Sequence, residues 1–161
     1  MPKNLNLREL EEKDVDQAKF LVSEIYAENP KTTNFTYRPS YKELSDLFKT
    51  KLSMLNEKSL IDMVAELKGE IVGECEIVLK QEGKEKYGIV GIIVKREHRR
   101  KGIGSSLLKK ATEKAKELKI STLVAEVDKS NKPAIQFFKK EGFKEKKNGE
   151  KIVFEQRLDL S

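Results

Sequence analysis

The sequence contains a single cysteine, Cys75, and no tryptophan. One cysteine excludes an intrachain disulfide and a cysteine-rich zinc site, and we expect no metal site of another kind. The chain has no apolar run long enough to span a bilayer, and its first residues lack the apolar stretch of a signal peptide. We therefore expect a cytoplasmic protein without membrane contact, in which Cys75 is a buried thiol on a strand.

Neither basic nor acidic residues are in large excess. The chain of 161 residues has 33 basic and 27 acidic side chains, a net charge of +6. Because the charges are mixed and no nucleic-acid-binding motif is present, we expect no nucleic-acid partner, although a basic nucleic-acid binder stays open as a third hypothesis. A polyanionic cofactor explains the basic excess equally well. With no repeat or linker, residues 1–161 are expected to form a single domain.

The spacing of apolar residues predicts elements in the order β-α-α-β-β-β-α-β-α-β-β. The first part of the chain is predicted to form a strand at Leu5 and Leu7, a helix from Asp14 and a helix opened by a capping box at Ser40–Glu43. The strands Leu60–Leu67, Glu70–Leu79 and Tyr87–Val94 follow, and then a helix from Ile103 and a strand Ser121–Val127. The last elements are a helix capped by Ser130 or Asn131 that stops at Gly142, and the strands Phe143–Lys147 and Lys151–Leu158.

These elements predict the fold class. Three consecutive strands joined by short turns must be antiparallel, whereas the strand–helix–strand unit from Tyr87 to Val127 should be parallel and right-handed. The class is therefore α/β, as an α+β mixed sheet with helices on both faces. Tyr87–Val94 is apolar on both faces, which is typical of a central strand covered on both sides.

A basic, glycine-containing turn follows the strand that ends at Val94. Arg99-Arg100-Lys101-Gly102-Ile103-Gly104 precedes an amphipathic helix. Glycines let backbone N–H groups approach an anion, and the helix N-terminus adds partial positive charge, so the turn suits a pyrophosphate. The P-loop motif is absent, and the dinucleotide-binding motif would need a third glycine where Leu107 stands. On this fragment alone, a plain strand–helix turn stays open as the alternative.

Two segments together resemble the GNAT family of N-acetyltransferases. The run from Val94 to Gly104 resembles the family's motif A, with the core Arg/Gln-x-x-Gly-x-Gly/Ala. Residues Asn131–Phe143 are similar to the family's next helix, Asn-x-x-Ala-x-x-x-Tyr-x-x-x-Gly-Phe, at the usual spacing. The resemblance covers nearly the whole chain and implies the GNAT-like acyl-CoA N-acyltransferase fold with acetyl-CoA (coenzyme A) as cofactor.

The resemblance also implies which residues bind the cofactor. The central strand and the strand after its helix should splay apart, with the thioester in the gap. The backbone of Ile92 and Val94 should pair with the pantetheine arm, and Asn131 should contact that arm or the cofactor tail. The pyrophosphate loop is expected to comprise Arg99, Arg100, Lys101, Gly102, Ile103, Gly104 and Ser105, the first three as fixed cations.

Phe138 stands where the family commonly has a tyrosine near the thioester sulfur, proposed as the general acid. Phenylalanine cannot donate a proton, so we expect Phe138 to border the cofactor site as a core aromatic. Glu126 resembles the strand glutamate of ribosomal-protein N-terminal acetyltransferases. Burial among apolar neighbours would raise its pKa towards neutrality, as work as a general base needs. The alternative is that Glu126 lies on the solvent side of the sheet and pairs with a lysine.

The loop between the first two helices lines the acceptor site in this family, so Tyr26, Phe35 and Tyr37 are the expected substrate-binding residues. The expected reaction is acetyl transfer to a primary amine by direct attack in a ternary complex, with a backbone N–H near Val94 stabilising the oxyanion. α-Amino acceptors such as peptide N-termini are favoured over lysine because their pKa is lower. The alternatives are a coenzyme A-binding module with little transferase activity and a polyamine or small-amine acetyltransferase, and a homodimer is left open.

Overall fold

The computed structural model describes residues 2–33 and 35–161. Within them the strands are β1 (Leu5–Glu9), β2 (Leu60–Leu67), β3 (Glu70–Glu82), β4 (Glu85–Val94), β5 (Thr122–Asp128), β6 (Lys144–Asn148) and β7 (Lys151–Arg157), and the α-helices are α1 (Val15–Glu28), α2 (Tyr41–Asn56), α3 (Ile103–Glu117) and α4 (Lys132–Lys140). The predicted order of elements is confirmed.

One mixed sheet contains all of these strands, in the order β1-β2-β3-β4-β5-β7-β6. Only β4 and β5 pair in parallel, and the other neighbours are antiparallel. The hairpin between β3 and β4 is longer than predicted, because Glu82 still pairs with Glu85. Gly83 there has a φ of 62°, a left-handed conformation that glycine adopts without steric cost, so the pairing continues to the tip.

Two apolar clusters hold the helices on opposite faces of the sheet. α1 and α2 cover one face through residues that include Leu21 and Phe48. α3 and α4 cover the other face, where Leu107 and Phe138 belong to a cluster with Cys75 of β3. Cys75 is fully buried, and burial raises the pKa of its thiol, which confirms the expectation of a buried strand thiol. We call the two sides the α1/α2 face and the α3/α4 face.

The predicted helix ends are also observed. Ser40 Oγ accepts a hydrogen bond from the Glu43 N–H at 3.1 Å, and a Glu43 carboxylate oxygen accepts one from the Ser40 N–H at 3.0 Å, as in a capping box. After α4, Gly142 has a φ of 91°, the left-handed conformation typical of a helix end. None of the described helices is both long enough and apolar enough to cross a membrane.

Candidate active site

A gap opens in the sheet between β4 and β5. The two strands pair only where Tyr87–Ile89 lies beside Thr122–Val124. β5 then continues to Asp128 while paired with β7 on its other side. The splayed arrangement that the resemblance implies is therefore present. Residues Ile92–Val94 are only half-buried, so the expectation of a strand covered on both faces is wrong at this end of β4.

The backbone of β4 presents hydrogen-bonding groups to this gap. The Lys95 N–H, just after the strand, donates to the carbonyl of Val72 at 2.8 Å. Because successive residues of a strand turn their N–H and C=O groups to alternate sides, the odd-numbered residues of β4 pair with β3. The N–H groups of Ile92 and Val94, beyond the last pair with β5, therefore face the gap.

α3 begins beside the gap with an uncapped N-terminus. Its N-cap is Gly102, with a φ of 82°, and Arg100 two residues earlier has a φ of 59°. Gly102 provides no capping side chain, and the first turn of α3 has no acidic residue. The partial positive charge of this helix end is therefore available to an anion. Arg100 and Lys101 are exposed next to it.

Arg99 is held by the protein itself. Its Nε donates to the Val94 carbonyl at 2.8 Å, and its two Nη atoms bind the Glu28 carboxylate at 2.6 Å each. The hydrogen bonds and charge of Arg99 lower the pKa of Glu28. These contacts tie the start of the loop to the last turn of α1. The role of Arg99 as a cation beside the pyrophosphate stays a prediction.

Gly104 has a packing role of its own. A Cβ atom on Gly104 would lie 3.2 Å from Cε1 of Phe137 and 3.7 Å from Cδ1 of Ile92. The first of these distances is tighter than ordinary side-chain contacts. The absence of a side chain at Gly104 therefore lets the start of α3 lie close to both α4 and the end of β4.

Asn131 and Phe138 both have structural contacts. Asn131 Oδ1 accepts a hydrogen bond from the Ala134 N–H at 3.3 Å and so caps α4, as one reading of the sequence predicts. The ring of Phe138 is 4% exposed and lies against Phe143 and Phe154, at centroid distances of 5.1 and 6.1 Å. Its place as a core aromatic is confirmed, and the described contacts of the ring are with other core side chains.

Glu126 lies on the α1/α2 face of β5 and is exposed. Its neighbours Ala125 and Val127 belong to the cluster under α3 and α4, which lies on the other side of the sheet because strand residues alternate. The expected burial of Glu126 is therefore wrong. The expected solvent-side position is observed, but Glu126 has no ion pair to a lysine among residues 2–33 and 35–161.

A cavity of about 260 Å³ lies on the α1/α2 face, beside the same stretch of β4. Its lining includes Phe35 from the loop between α1 and α2, Glu76 from β3 and residues 91–93 of β4. Phe35 is thus placed where an acceptor-site residue is expected. Tyr26 and Tyr37 do not belong to this lining. Tyr37 is exposed and donates a hydrogen bond to Glu43, which raises the pKa of the Tyr37 hydroxyl.

A buried lysine and three acidic residues lie below this cavity. Lys51 Nζ is 2.8 Å from a carboxylate oxygen of Glu76, 3.0 Å from one of Glu74 and 3.1 Å from one of Asp62. Burial, followed by the charge of Glu74, raises the pKa of Asp62 well above its usual value. Burial alone would lower the pKa of Lys51, but the neighbouring carboxylates outweigh it and raise that pKa. We call these residues the Lys51 cluster.

Comparison with known proteins decides the family. The sequence matches the acetyltransferase (GNAT) family over residues 22–143, which is more than half of the chain. The chain belongs to the GNAT family. It is therefore an acetyl-CoA-dependent acetyltransferase, as the two sequence motifs predict.

Solved structures share this GNAT fold at low sequence identity. The ribosomal-protein-alanine N-acetyltransferase from Brucella melitensis has a TM-score of 0.81 at 20% identity, over 95% of this chain and 99% of that one. RimL, the ribosomal L7/L12 alpha-N-protein acetyltransferase in complex with coenzyme A, has 0.83 at 16%, over 99% and 97%. A phosphinothricin acetyltransferase from Sinorhizobium meliloti in complex with AcCoA has 0.80 at 18%, over 96% and 89%.

The residues of this GNAT protein fit acetyl-CoA. The unpaired edge of β4 matches the amide groups of a pantetheine arm, which need hydrogen-bond partners. The uncapped start of α3, with Arg100 and Lys101 beside it, suits a pyrophosphate because that group carries negative charge. The gap and the helix start are adjacent, since a Cβ atom on Gly104 would lie 3.7 Å from Cδ1 of Ile92.

The Lys51 cluster is what the sequence analysis missed. Neither GNAT motif includes its members, so the resemblance gives no hint of it. A signal was nevertheless present, because Lys51 interrupts the apolar face of α2 and Asp62, Glu74 and Glu76 interrupt two apolar strands. Ionisable side chains at core positions need partners of opposite charge, so this pattern predicts that the four side chains contact each other.

Proposed function

We propose that this protein acetylates a primary amine that attacks acetyl-CoA directly within a ternary complex. The observation that carries this proposal is that Ile92 borders both the β4–β5 gap and the cavity. Its backbone N–H faces the β4–β5 gap, and the residue also lines the cavity on the α1/α2 face. A thioester in the gap and an amine in the cavity would therefore meet at the end of β4 without an intermediate carrier on the protein.

The cofactor-binding roles follow the sequence motifs with one change. The backbone of Ile92 and Val94 binds the pantetheine arm, and the free amide nitrogen of Asn131 contacts it from the start of α4. The N–H groups at Ile103, Gly104 and Ser105 bind the pyrophosphate, with Gly102, Arg100 and Lys101 around it. Arg99 holds the loop in place through Glu28 and Val94.

When bound, acetyl-CoA supplies an acetyl thioester, an activated carbonyl with a thiolate leaving group. A backbone N–H near Val94 that the pantetheine arm leaves unbound is positioned to donate a hydrogen bond to a carbonyl oxygen in the gap, where charge develops during attack. Glu126, directly or through water, accepts a proton from the ammonium of the acceptor, and the neutral amine that results attacks the carbonyl. The amide forms as the C–S bond breaks, the thiolate takes one proton, and the second proton lost by the ammonium leaves through Glu126 to solvent.

The proposed acceptor is an α-amino group, such as a peptide N-terminus. An α-amine has a reference pKa of about 7.7–8.0 and a lysine side chain about 10.4, so deprotonation at neutral pH costs a lysine roughly 3 kcal/mol more. A site with an exposed glutamate as base and phenylalanine at position 138 suits the easier amine. The Brucella enzyme and RimL, which are acetyltransferases of ribosomal proteins, support this class.

An acceptor screen with thiol detection tests the proposal. Purified protein is incubated with acetyl-CoA and a panel of peptides with free N-termini, N-blocked lysine peptides, polyamines and small amines. We expect release of coenzyme A with α-amino peptides above the rate without acceptor. Binding of acetyl-CoA without turnover over the whole panel would contradict the proposal and favour a coenzyme A-binding module, which the lack of a proton donor at Phe137 and Phe138 would then explain.

A further inference from the structure

The Lys51 cluster has more acidic than basic side chains. One ammonium group, that of Lys51, lies within 3.1 Å of three carboxyl groups, those of Asp62, Glu74 and Glu76. Asp62 is fully buried, and burial raises its pKa. Glu74 is 4% exposed, whereas the Glu76 side chain is 27% exposed. Glu76 is therefore the acidic member of the cluster that is most accessible from outside.

Glu76 lies at the edge of the cavity that is nearest to the gap. It pairs across the sheet with Gly91 of β4, and a Cβ atom on Gly91 would lie only 3.3 Å from Oε1 of Glu76. The carboxylate therefore lies over the bare backbone of β4, one residue before Ile92. A side chain at position 91 would occupy this space and push Glu76 away from the gap.

The cavity limits the size of the group that enters it. Its volume of about 260 Å³ is at the lower end for ligand pockets and corresponds to roughly nine water molecules. Val22, Phe35, Leu47 and Ile93 form apolar parts of its wall, and Thr32 and Thr33 add polar atoms. A single amino-acid-sized terminal group fits this volume.

We propose that this cavity is the acceptor subsite, and that Glu76 binds the ammonium of an amine with no carboxylate on the carbon next to it. The inference rests on the proposed function, which it makes more specific. An entering ammonium adds a second cation to a cluster in which carboxyl groups outnumber the single lysine, and forms a charge-assisted hydrogen bond with Glu76. A free amino acid brings its own carboxylate beside Glu76, so like charges repel. N-terminal peptide groups and simple amines have no such carboxylate.

Alaninamide and alanine form a matched pair for the test, because they differ in an amide against a carboxylate. We expect the kcat/KM for alaninamide to exceed that for alanine at least about tenfold in the wild type. In Glu76→Gln the KM for alaninamide should rise about tenfold or more, and the ratio of the two kcat/KM values should fall about tenfold from its wild-type value. The comparison of ratios between variants cancels the different pKa values of the two amines.

Glu82→Gln is the control, since Glu82 is exposed at the far end of the same strand. It should keep the wild-type ratio, and acetyl-CoA affinity should be equal in all variants. Glu76→Asp keeps the charge and should retain most of the discrimination, which provides a second variant if Glu76→Gln fails to fold. An unchanged ratio in folded Glu76→Gln would overturn the inference while leaving the proposed function intact.

Equilibrium binding separates the two proposals. Alaninamide and alanine are titrated into the protein saturated with coenzyme A, where no transfer takes place. Preference for alaninamide that depends on Glu76, together with no acetylated product from acetyl-CoA, would refute the proposed function and keep the subsite. Equal binding of both compounds, or binding of neither, would refute the subsite.

Discussion

At the scale of single residues, two glutamates on the α1/α2 face have different surroundings. Glu126 is exposed and has no ion pair among the described residues, and we propose it as the general base. Glu76 is fixed 2.8 Å from Lys51 and suits the binding of a cation. The sequence predicted the position of Glu126 on a strand, but apolar neighbours in sequence suggested burial. Those neighbours lie on the other face, because side chains alternate along a strand.

Glu126→Gln should lower kcat/KM at neutral pH by roughly a hundredfold, the usual scale for loss of a general base. Much of the loss should recover as the pH rises, because the amine then loses its proton to solvent. Acetyl-CoA affinity should not change. The measurement is a pH profile of kcat/KM for an α-amino peptide, and profiles of equal height for variant and wild type would remove Glu126 from the mechanism.

Phe138→Ala should lower the free energy of unfolding by about 3–5 kcal/mol, since it removes a buried ring and leaves a cavity between Phe143 and Phe154. Phe20→Ala is the control, because Phe20 is 64% exposed and its loss should cost little. Denaturant unfolding of both variants provides the comparison. Equal stability of Phe138→Ala and wild type would mean that α4 is misplaced in this account.

At the scale of elements, periodicity and capping residues predicted nearly every helix and strand. The capping box at Ser40 and the end of α4 at Gly142 show why, since both signals act within a few residues. The gap was implied only by the family resemblance, because the point where β4 and β5 separate depends on packing from both faces. The pairing of Arg99 with Glu28 was not predicted either, since 71 positions separate the two residues in the chain.

Ser105→Glu tests the N-terminus of α3 as the pyrophosphate site. Ser105 is the third residue of the helix, where a glutamate stabilises the terminus by about 0.3–1 kcal/mol. The same negative charge should repel the pyrophosphate, so acetyl-CoA affinity should fall at least about tenfold while thermal stability holds or rises. Ser105→Gln has nearly the same shape without the charge and is the control. Loss of affinity in Ser105→Gln equal to that in Ser105→Glu would contradict an electrostatic cause.

At the scale of the whole molecule, the ion pair of Arg8 and Asp14 should make the free energy of unfolding vary with pH in the acidic range. Both Asp14 oxygens accept hydrogen bonds from Arg8 at 2.7 Å. Burial raises the pKa of Asp14, but these bonds outweigh it and hold that pKa below its usual value of 3.8. A lowered carboxyl pKa stabilises the fold above the unfolded-state pKa, and the stabilisation is lost as the pH falls through the folded-state pKa.

Asp14→Asn should therefore lower the free energy of unfolding by about 2 kcal/mol at pH 7, the scale of a hydrogen bond to a charged group. The difference from wild type should shrink as the pH falls below 3.8, where the wild-type carboxyl takes up a proton. Asp46→Asn is the control, since Asp46 forms only an exposed pair with Lys42. Denaturant titrations at several pH values measure this, and a difference that does not vary with pH would contradict the assignment.

The acceptor is the property of the whole molecule that the sequence predicted least. GNAT motifs describe the cofactor side, whereas the proposed acceptor side is built from the loop after α1, from Lys51 on α2 and from parts of β3 and β4 that lie outside the two motifs. Neighbours of the same fold act on ribosomal proteins and on phosphinothricin, so the fold alone does not select an acceptor. Charge and volume at the cavity are the features that carry this information.

The most direct test of the central claim is to locate the acetyl group on an acceptor that offers two amines. A peptide with a free N-terminus and one internal lysine is incubated with the protein and acetyl-CoA, and the product is mapped by tandem mass spectrometry. The account predicts a single acetyl group on the α-amine, with one coenzyme A thiol released for each peptide acetylated. Acetylation of the lysine instead, or no acetylated peptide while acetyl-CoA binds, would contradict it.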